Sequence, residues 1–269
     1  MKRGQVERGS AWALITGAGS GIGRCYAERM AALGYNLLLV GNEKEPLCHA
    51  AEEITLRHQV TVRPLALDLA RMEAADELYT MIAAAGIEVD VLINNAGIFS
   101  FGDVLNTDEN RIERMLLLHD MTATKLCRRY AARMIERGVQ GFILNMSSYS
   151  LWMPFPGLAV YSASKAYLKA FSVAFSKEVE EHGIRVTAIC PAGVATNLYG
   201  LSQKLQTLGV RIGGLITADR CARRGLAALW RGERCSVPDW WNRVWIPFLT
   251  HLPMWMLRPL RRYTNQFQK

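Results

Sequence analysis

The sequence is poor in the residues that build metal centres. It carries five histidines and six cysteines among 269 residues, and no two cysteines form a C-x-x-C pair. Cys25, Cys48, Cys127, Cys190, Cys221 and Cys235 lie far apart, which excludes zinc-finger spacing, so no bound metal is expected. Scattered free thiols suit a reducing, cytoplasmic compartment. No Pro/Ser-rich linker, low-complexity run or internal repeat divides the chain. The N-terminus passes from charged residues into an apolar run without a small-residue cleavage site, unlike a secretory signal. Long apolar runs are also lacking: the uncharged stretch 244–257 has fourteen residues, too few to span a bilayer.

What is present is ordinary globular composition, 50% hydrophobic and 21% charged, with a formal net charge of +8. The main basic clusters, "RCARRG" (220–225) and "RPLRRY" (258–263), have no interleaved aromatics, so no nucleic-acid partner is expected. A phosphate-bearing cofactor or an anionic membrane surface accounts for the excess charge equally well.

Short apolar runs alternate with longer helical patterns. Strands are expected at 11–16, 36–40, 60–67, 89–94, 141–147 and 184–190, with helices at about 21–34, 43–58, 70–85, 104–137 and 158–182. Pro64 marks the third strand as an edge or a bulge. Near-continuous apolar strands in strict β–α alternation imply an α/β fold: one doubly wound parallel sheet of Rossmann type with helices on both faces. Ligands in such sheets bind beyond the carboxyl ends of the strands.

The turn after the first strand, "TGAGSGIGR", crowds Gly17, Gly19, Gly21 and Gly23 together with Ser20 and Ile22. Glycine lets the backbone approach a pyrophosphate closely, and the following helix presents free N–H groups to it. The turn is read as a dinucleotide site. In "YSASK", Tyr161 and Lys165 are one helical turn apart. The pair is either an aromatic ring covered by a lysine stem or a phenol whose pKa the ammonium lowers.

Several motifs in order resemble the short-chain dehydrogenases/reductases. They are Thr16-Gly17-x-x-x-Gly21-Ile22-Gly23, then Asn94-Asn95-Ala96-Gly97, then Tyr161-x-x-x-Lys165 with Ser148 thirteen residues earlier. "PAGVAT" (191–196) is similar to the family's P-G-x-x-x-T, with Ala192 replacing glycine. The resemblance covers about residues 11–238. It implies a single NAD(P)-binding domain over 1–238 with about seven strands, followed by an apolar-basic extension over 239–269. It also implies a homodimer or homotetramer. Tyr161 would be the general acid and base, Lys165 its electrostatic partner, and Ser148 the group that orients the substrate oxygen. The cofactor would be held by the glycine turn and by Asn42, Asp68, Leu69, Asn95, Ala96, Gly97, Tyr161, Lys165, Pro191, Val194 and Thr196. Asn94 and Asn95 also read as a polar strand end that closes the sheet.

Four features sharpen the expectation. At the end of the second strand stand Gly41 and Asn42, so the acid that binds a 2′-hydroxyl is missing; with Arg24 and Lys44 nearby, this favours NADPH over NAD. Where the family places a relay asparagine, this chain has His119, followed by Asp120. His119 is either a substitute relay member or a space-filling helix residue. An enzyme of impaired chemistry, a dinucleotide-binding sensor or scaffold, is the alternative that this histidine raises. The loop 197–217 and the stretch "YSLWMPFPG" are apolar, which suits a lipophilic ketone or alcohol such as a 3-oxoacyl or 3-oxosphingoid compound. The tail over 239–262 has Trp residues followed by arginines, with Pro247, Pro253 and Pro259 expected to interrupt any helix. It reads either as a peripheral membrane segment or as an arm packed on protein.

Overall fold

The computed structural model describes residues 4–153 and 155–249. Seven strands form its central sheet: β1 (Trp12–Thr16), β2 (Asn36–Gly41), β3 (Val62–Ala66), β4 (Val89–Asn94), β5 (Gly141–Met146), β6 (Ile184–Ile189) and β9 (Cys235–Ser236). They lie in the order β3-β2-β1-β4-β5-β6-β9, and every pairing is parallel. Leu37–Val40 of β2 are all buried, as a strand covered on both faces requires. Pro64 lies in β3, an outermost strand, where the missing N–H faces no neighbour.

Helices α1 (Gly21–Ala32), α2 (Lys44–His58), α3 (Ala74–Ala84), α4 (Glu109–Leu116), α5 (Ala123–Glu136), α6 (Ala159–Val179) and α8 (Ala218–Arg231) cover the sheet. One apolar core packs Tyr26, Met30 and Leu229 against one face; the other packs Leu78, Leu126 and Tyr130 against the opposite face. Local chemistry sets several ends. The Thr217 hydroxyl caps α8 by accepting from Arg220 N, and Gly232 closes it at φ +75°. Asp108 accepts from Arg111 N at the start of α4.

The expected long helix over 104–137 is divided. A 3₁₀ turn (Val104–Asn106) precedes α4, and a π-helical turn (Leu117–Thr122) joins α4 to α5. The stretch 197–217 contains a helix, α7 (Gln203–Arg211), between two short paired strands, β7 (Val194–Ala195) and β8 (Ile216–Thr217). The last described helix, α9 (Trp240–Leu249), runs through position 247, which corrects the expectation of a break there: the missing N–H forfeits one backbone bond, and the described turns on either side stay helical. The rest of the tail, including the expected breaks at Pro253 and Pro259, lies outside the described residues.

Candidate active site

The carboxyl ends of β1, β4 and β5 and the start of β7 meet over one cleft of about 410 Å³. Its floor is the glycine turn. Gly17 adopts φ +65° and Gly21 φ +56°, the left-handed region that glycine enters without penalty. A Cβ on Gly23 would stand 2.1 Å from the Gly17 carbonyl oxygen, and one on Gly17 would stand 2.9 Å from Ala96 Cα. Asn95 locks this turn to β4, donating through Nδ2 to the Thr16 and Gly17 carbonyls at 2.9 and 3.2 Å. The Thr16 hydroxyl accepts from the backbone N–H groups of Asn95 and Ala96. Ser20 starts α1 without capping it through its side chain, so the first-turn N–H groups of that helix remain available to an anion. The close approach of glycine backbone to the cleft, with no room for a Cβ at Gly17 or Gly23, fits a dinucleotide pyrophosphate.

The sequence-predicted residues converge unevenly. Gly17, Ser20, Gly21, Ile22, Asn95, Ala96 and Gly97 line the cleft, as do Ser148, Tyr161, Lys165, Pro191, Val194 and Thr196. Gly19 packs against Pro46 and Gly23 against Gly17, beneath the lining. Asn42 is exposed at the end of β2. Asp68 accepts from Ala70 N at 3.0 Å and pairs with Arg114 at 2.9 Å. Leu69 is buried, its carbonyl accepting from the Thr122 hydroxyl. Two findings concern residues near the second strand. Glu43 lines the cleft, so a carboxylate stands there although none ends the strand. Arg24 is already engaged by Glu28 and Glu53, at 2.9 and 2.6 Å.

Tyr161 and Lys165 project from the first turns of α6 and are both buried. Lys165 Nζ donates to the Met146 carbonyl at 2.9 Å and stands 5.7 Å from the Tyr161 ring centroid. Burial lowers its pKa to about 8, with Asp120 acting in the opposite sense. Tyr161 packs edge-on against Phe99 at 5.1 Å. Its pKa is raised by burial, while a hydrogen bond with Ser148 acts to lower it. This differs from the expected lowering by Lys165: the ammonium is held at a backbone carbonyl and over the ring, and burial dominates. Ser147 donates its hydroxyl to the Lys165 carbonyl at 2.7 Å. Ser148 Oγ accepts from Ser150 N at 3.1 Å.

His119 sits in the π-helical turn, buried, with both ring nitrogens engaged. Nε2 accepts from Ile98 N at 3.0 Å, which assigns the ring proton to Nδ1, 2.9 Å from Ser164 Oγ. Burial, then Lys165, holds its pKa well below the usual value, so the ring is neutral. Beside it, burial raises Asp120 to about 6.

Sequence reasoning missed a buried chain of side chains beneath the site. Asn94 Nδ2 donates to Asn145 Oδ1 at 2.8 Å, Asn145 Nδ2 to Ser172 Oγ at 2.8 Å, and Ser172 to the Leu168 carbonyl at 2.6 Å. It ties β4 and β5 to α6, and Asn145 within an apolar strand was the available signal. On the far side, Phe101 and Phe155 face each other at 6.2 Å. A second cleft of about 630 Å³ adjoins there, and Ile98 lines both.

The sequence profile of the short chain dehydrogenases matches residues 11–206. A very-long-chain 3-oxoacyl-CoA reductase of Anas platyrhynchos is 37% identical over 200 residues, covering 72% of this chain and 62% of that protein. The chain thus spans about three-fifths of the length of the curated relatives it matches. A short-chain dehydrogenase from Sphingobium yanoikuyae in complex with NADPH superposes with a TM-score of 0.77 at 28% identity, covering 90% of this chain and 96% of that one. A bulky-bulky ketone specific alcohol dehydrogenase from Comamonas testosteroni superposes with a TM-score of 0.75 at 27% identity, covering 91% and 96%.

Proposed function

This chain belongs to the short-chain dehydrogenases, and we propose that it is an NADPH-dependent reductase of lipophilic 3-oxoacyl thioesters. The observation that carries the reading is the convergence of Ser148, Tyr161 and Lys165 on the cleft floored by the glycine turn. The first turn of α1, with Gly17 and Gly21, would hold the dinucleotide phosphates; Val194 and Thr196 would hold its nicotinamide end. A bound nicotinamide dinucleotide supplies the hydride.

The chain's own groups handle the proton. Tyr161, kept protonated by burial, donates its phenolic proton to the substrate carbonyl oxygen. Ser148 donates its hydroxyl to that same oxygen and fixes its position. Lys165, with one N–H on Met146, has two others left and stabilises the phenolate once the proton has moved. His119 holds the backbone around them.

The acyl preference is supported by the 3-oxoacyl-CoA reductase relatives and by Phe101, Phe155 and Leu198 beside the cleft. NADPH is supported by the missing acid at Gly41 and Asn42 and by the NADPH complex of the Sphingobium protein; Glu43 narrows that margin. The intact Ser148, Tyr161 and Lys165 favour an active enzyme over a sensor or scaffold. Self-association as a homodimer or homotetramer is supported by exposed Tyr167, stacked on Phe171. Peripheral membrane contact of the 239–269 extension is supported by exposed Val244 and Phe248 on α9; among the described residues no helix is long and apolar enough to cross a membrane. On this reading the protein works in the cytoplasm, at a membrane surface.

The test is NADPH consumption across 3-oxoacyl-CoA substrates of increasing chain length, with NADH run in parallel. The reading expects kcat/KM to rise with chain length and to be higher with NADPH. Better turnover of short polar ketones or sugars would overturn it.

A further inference from the structure

Cys190 directly follows β6, and Cys235 opens β9, the neighbouring strand, where it pairs with Ala188; the two sulfurs lie 3.8 Å apart. No disulfide joins them, since all six cysteines are free. We propose that this pair is a reversible oxidation site, closed by low-molecular-weight disulfides such as oxidised glutathione.

Geometry gives the two thiols different roles. Cys190 is fully buried, whereas Cys235 is only partly covered, so an incoming disulfide meets Cys235 first. The two thiols share a hydrogen bond, while at Cys235 Lys169 on α6 and Arg243 on α9 add positive charge and Glu233 opposes them. The shared hydrogen bond and these charges lower Cys235 to about 7, while the same hydrogen bond and burial raise Cys190. Burial raises Cys127 and Cys221 to about 12. The thiolate is the attacking species, so Cys235 is the nucleophile and Cys190 the resolving thiol.

The exchange balances in two steps. The Cys235 thiolate attacks one sulfur of glutathione disulfide, forms a mixed disulfide and expels one glutathione thiolate. Cys190 then loses its proton and attacks Cys235 Sγ. A Cys190–Cys235 bond forms, the second glutathione leaves, and two electrons have passed from the protein to the small disulfide. The sulfurs must close from 3.8 Å to about 2.0 Å.

The place matters because β9 is held to β6 by two residue pairs only. The strand end carrying Cys190 is also tied to the Ser148 segment on both sides. Ser147 N donates to the Ile189 carbonyl and Tyr149 N to the Pro191 carbonyl, each at 2.8 Å. A bond here therefore staples the sheet edge directly beneath the proposed proton donors, and it does not depend on which ketone the enzyme reduces.

The test is peptide mapping of the reduced full chain equilibrated with graded mixtures of glutathione and its disulfide near neutral pH, then quenched and alkylated. The Cys190–Cys235 linkage should accumulate while Cys127 and Cys221 stay alkylatable, and dithiothreitol should restore both thiols. Cys190→Ala should stop at a glutathione adduct on Cys235; in Cys235→Ser, Cys190 should stay unmodified. The proposal is overturned if wild-type Cys190 and Cys235 both stay alkylatable in the most oxidising mixture. It is also overturned if Cys190 forms the adduct in Cys235→Ser.

Discussion

His119 Nδ1 donates to Ser164 Oγ at 2.9 Å, and that hydroxyl is donated in turn to the Tyr161 carbonyl at 2.9 Å. With Nε2 accepting from Ile98 N, the imidazole connects the loop after β4 to the turn that carries the proposed proton donor. Because the group on Nε2 is a backbone N–H, which gives up no proton at these pH values, we propose that the ring positions Tyr161 and does not relay protons. His119→Ala should lower kcat by about tenfold or more through misplacement of Tyr161 and destabilise the fold by about 1–3 kcal/mol through the partners left unmet. His119→Asn, which can still accept from Ile98, should recover part of both. The folded-state pKa lies below the unfolded value, so the contribution of His119 is present above about pH 6.5 and is lost as pH falls below it. Denaturant titrations at stepped pH should show that decline in the wild type and a shallower one in His119→Asn.

The pH dependence of turnover should differ between directions. Lys165 titrates at about 8, so carbonyl reduction should hold steady through neutral pH and fall as the ammonium loses its proton. Tyr161 is raised by burial, and alcohol oxidation needs its phenolate, so the oxidative rate should keep climbing past the pH at which reduction declines. Initial rates in both directions against pH check this; parallel profiles would contradict it.

Gly23 and Gly86 provide a matched pair of substitutions. A Cβ at Gly23 would lie 2.1 Å from the Gly17 carbonyl oxygen, whereas Gly86, at φ +66°, has nothing within 4 Å of its own. Gly86→Ala should cost only about 1–2 kcal/mol of backbone strain and leave NADPH binding unchanged. Gly23→Ala must displace backbone and should abolish binding. Cofactor fluorescence titration beside thermal unfolding separates the two effects.

Glu43 should set the margin between cofactors. A carboxylate lining the cleft repels a 2′-phosphate, at about 1 kcal/mol for charges roughly 4 Å apart in water. Glu43→Gln should therefore raise the NADPH-to-NADH ratio of kcat/KM by about fivefold, measured as competing cofactors at saturating ketone.

The glycine turn was legible because its chemistry is local, a turn after an apolar strand; Tyr161 and Lys165, one helical turn apart, took on a role only through the family resemblance of several motifs in order. The missing N–H of Pro64 pointed to an edge or a bulge, and the strand lies at the edge. What the sequence concealed depends on contacts between distant segments or on elements too short for a period. β7, β8 and β9 have two residues each. The π-helical turn at His119 shifts side-chain facing without any change of composition. Asn145 meets Asn94 and Ser172 only once β4, β5 and α6 are assembled. The approach of Cys190 to Cys235 likewise depends on the sheet's last pairing.

The account rests most heavily on Tyr161 as the proton donor to a carbonyl. Tyr161→Phe removes one oxygen from a ring packed between Phe99 and His119. The measurement is single-turnover NADPH oxidation with a long-chain 3-oxoacyl-CoA, paired with NADPH binding on the same preparations. The account predicts binding within about twofold of wild type and a rate lower by about 10²–10⁴. A Tyr161→Phe enzyme that binds NADPH normally and turns over within about tenfold of wild type would contradict it.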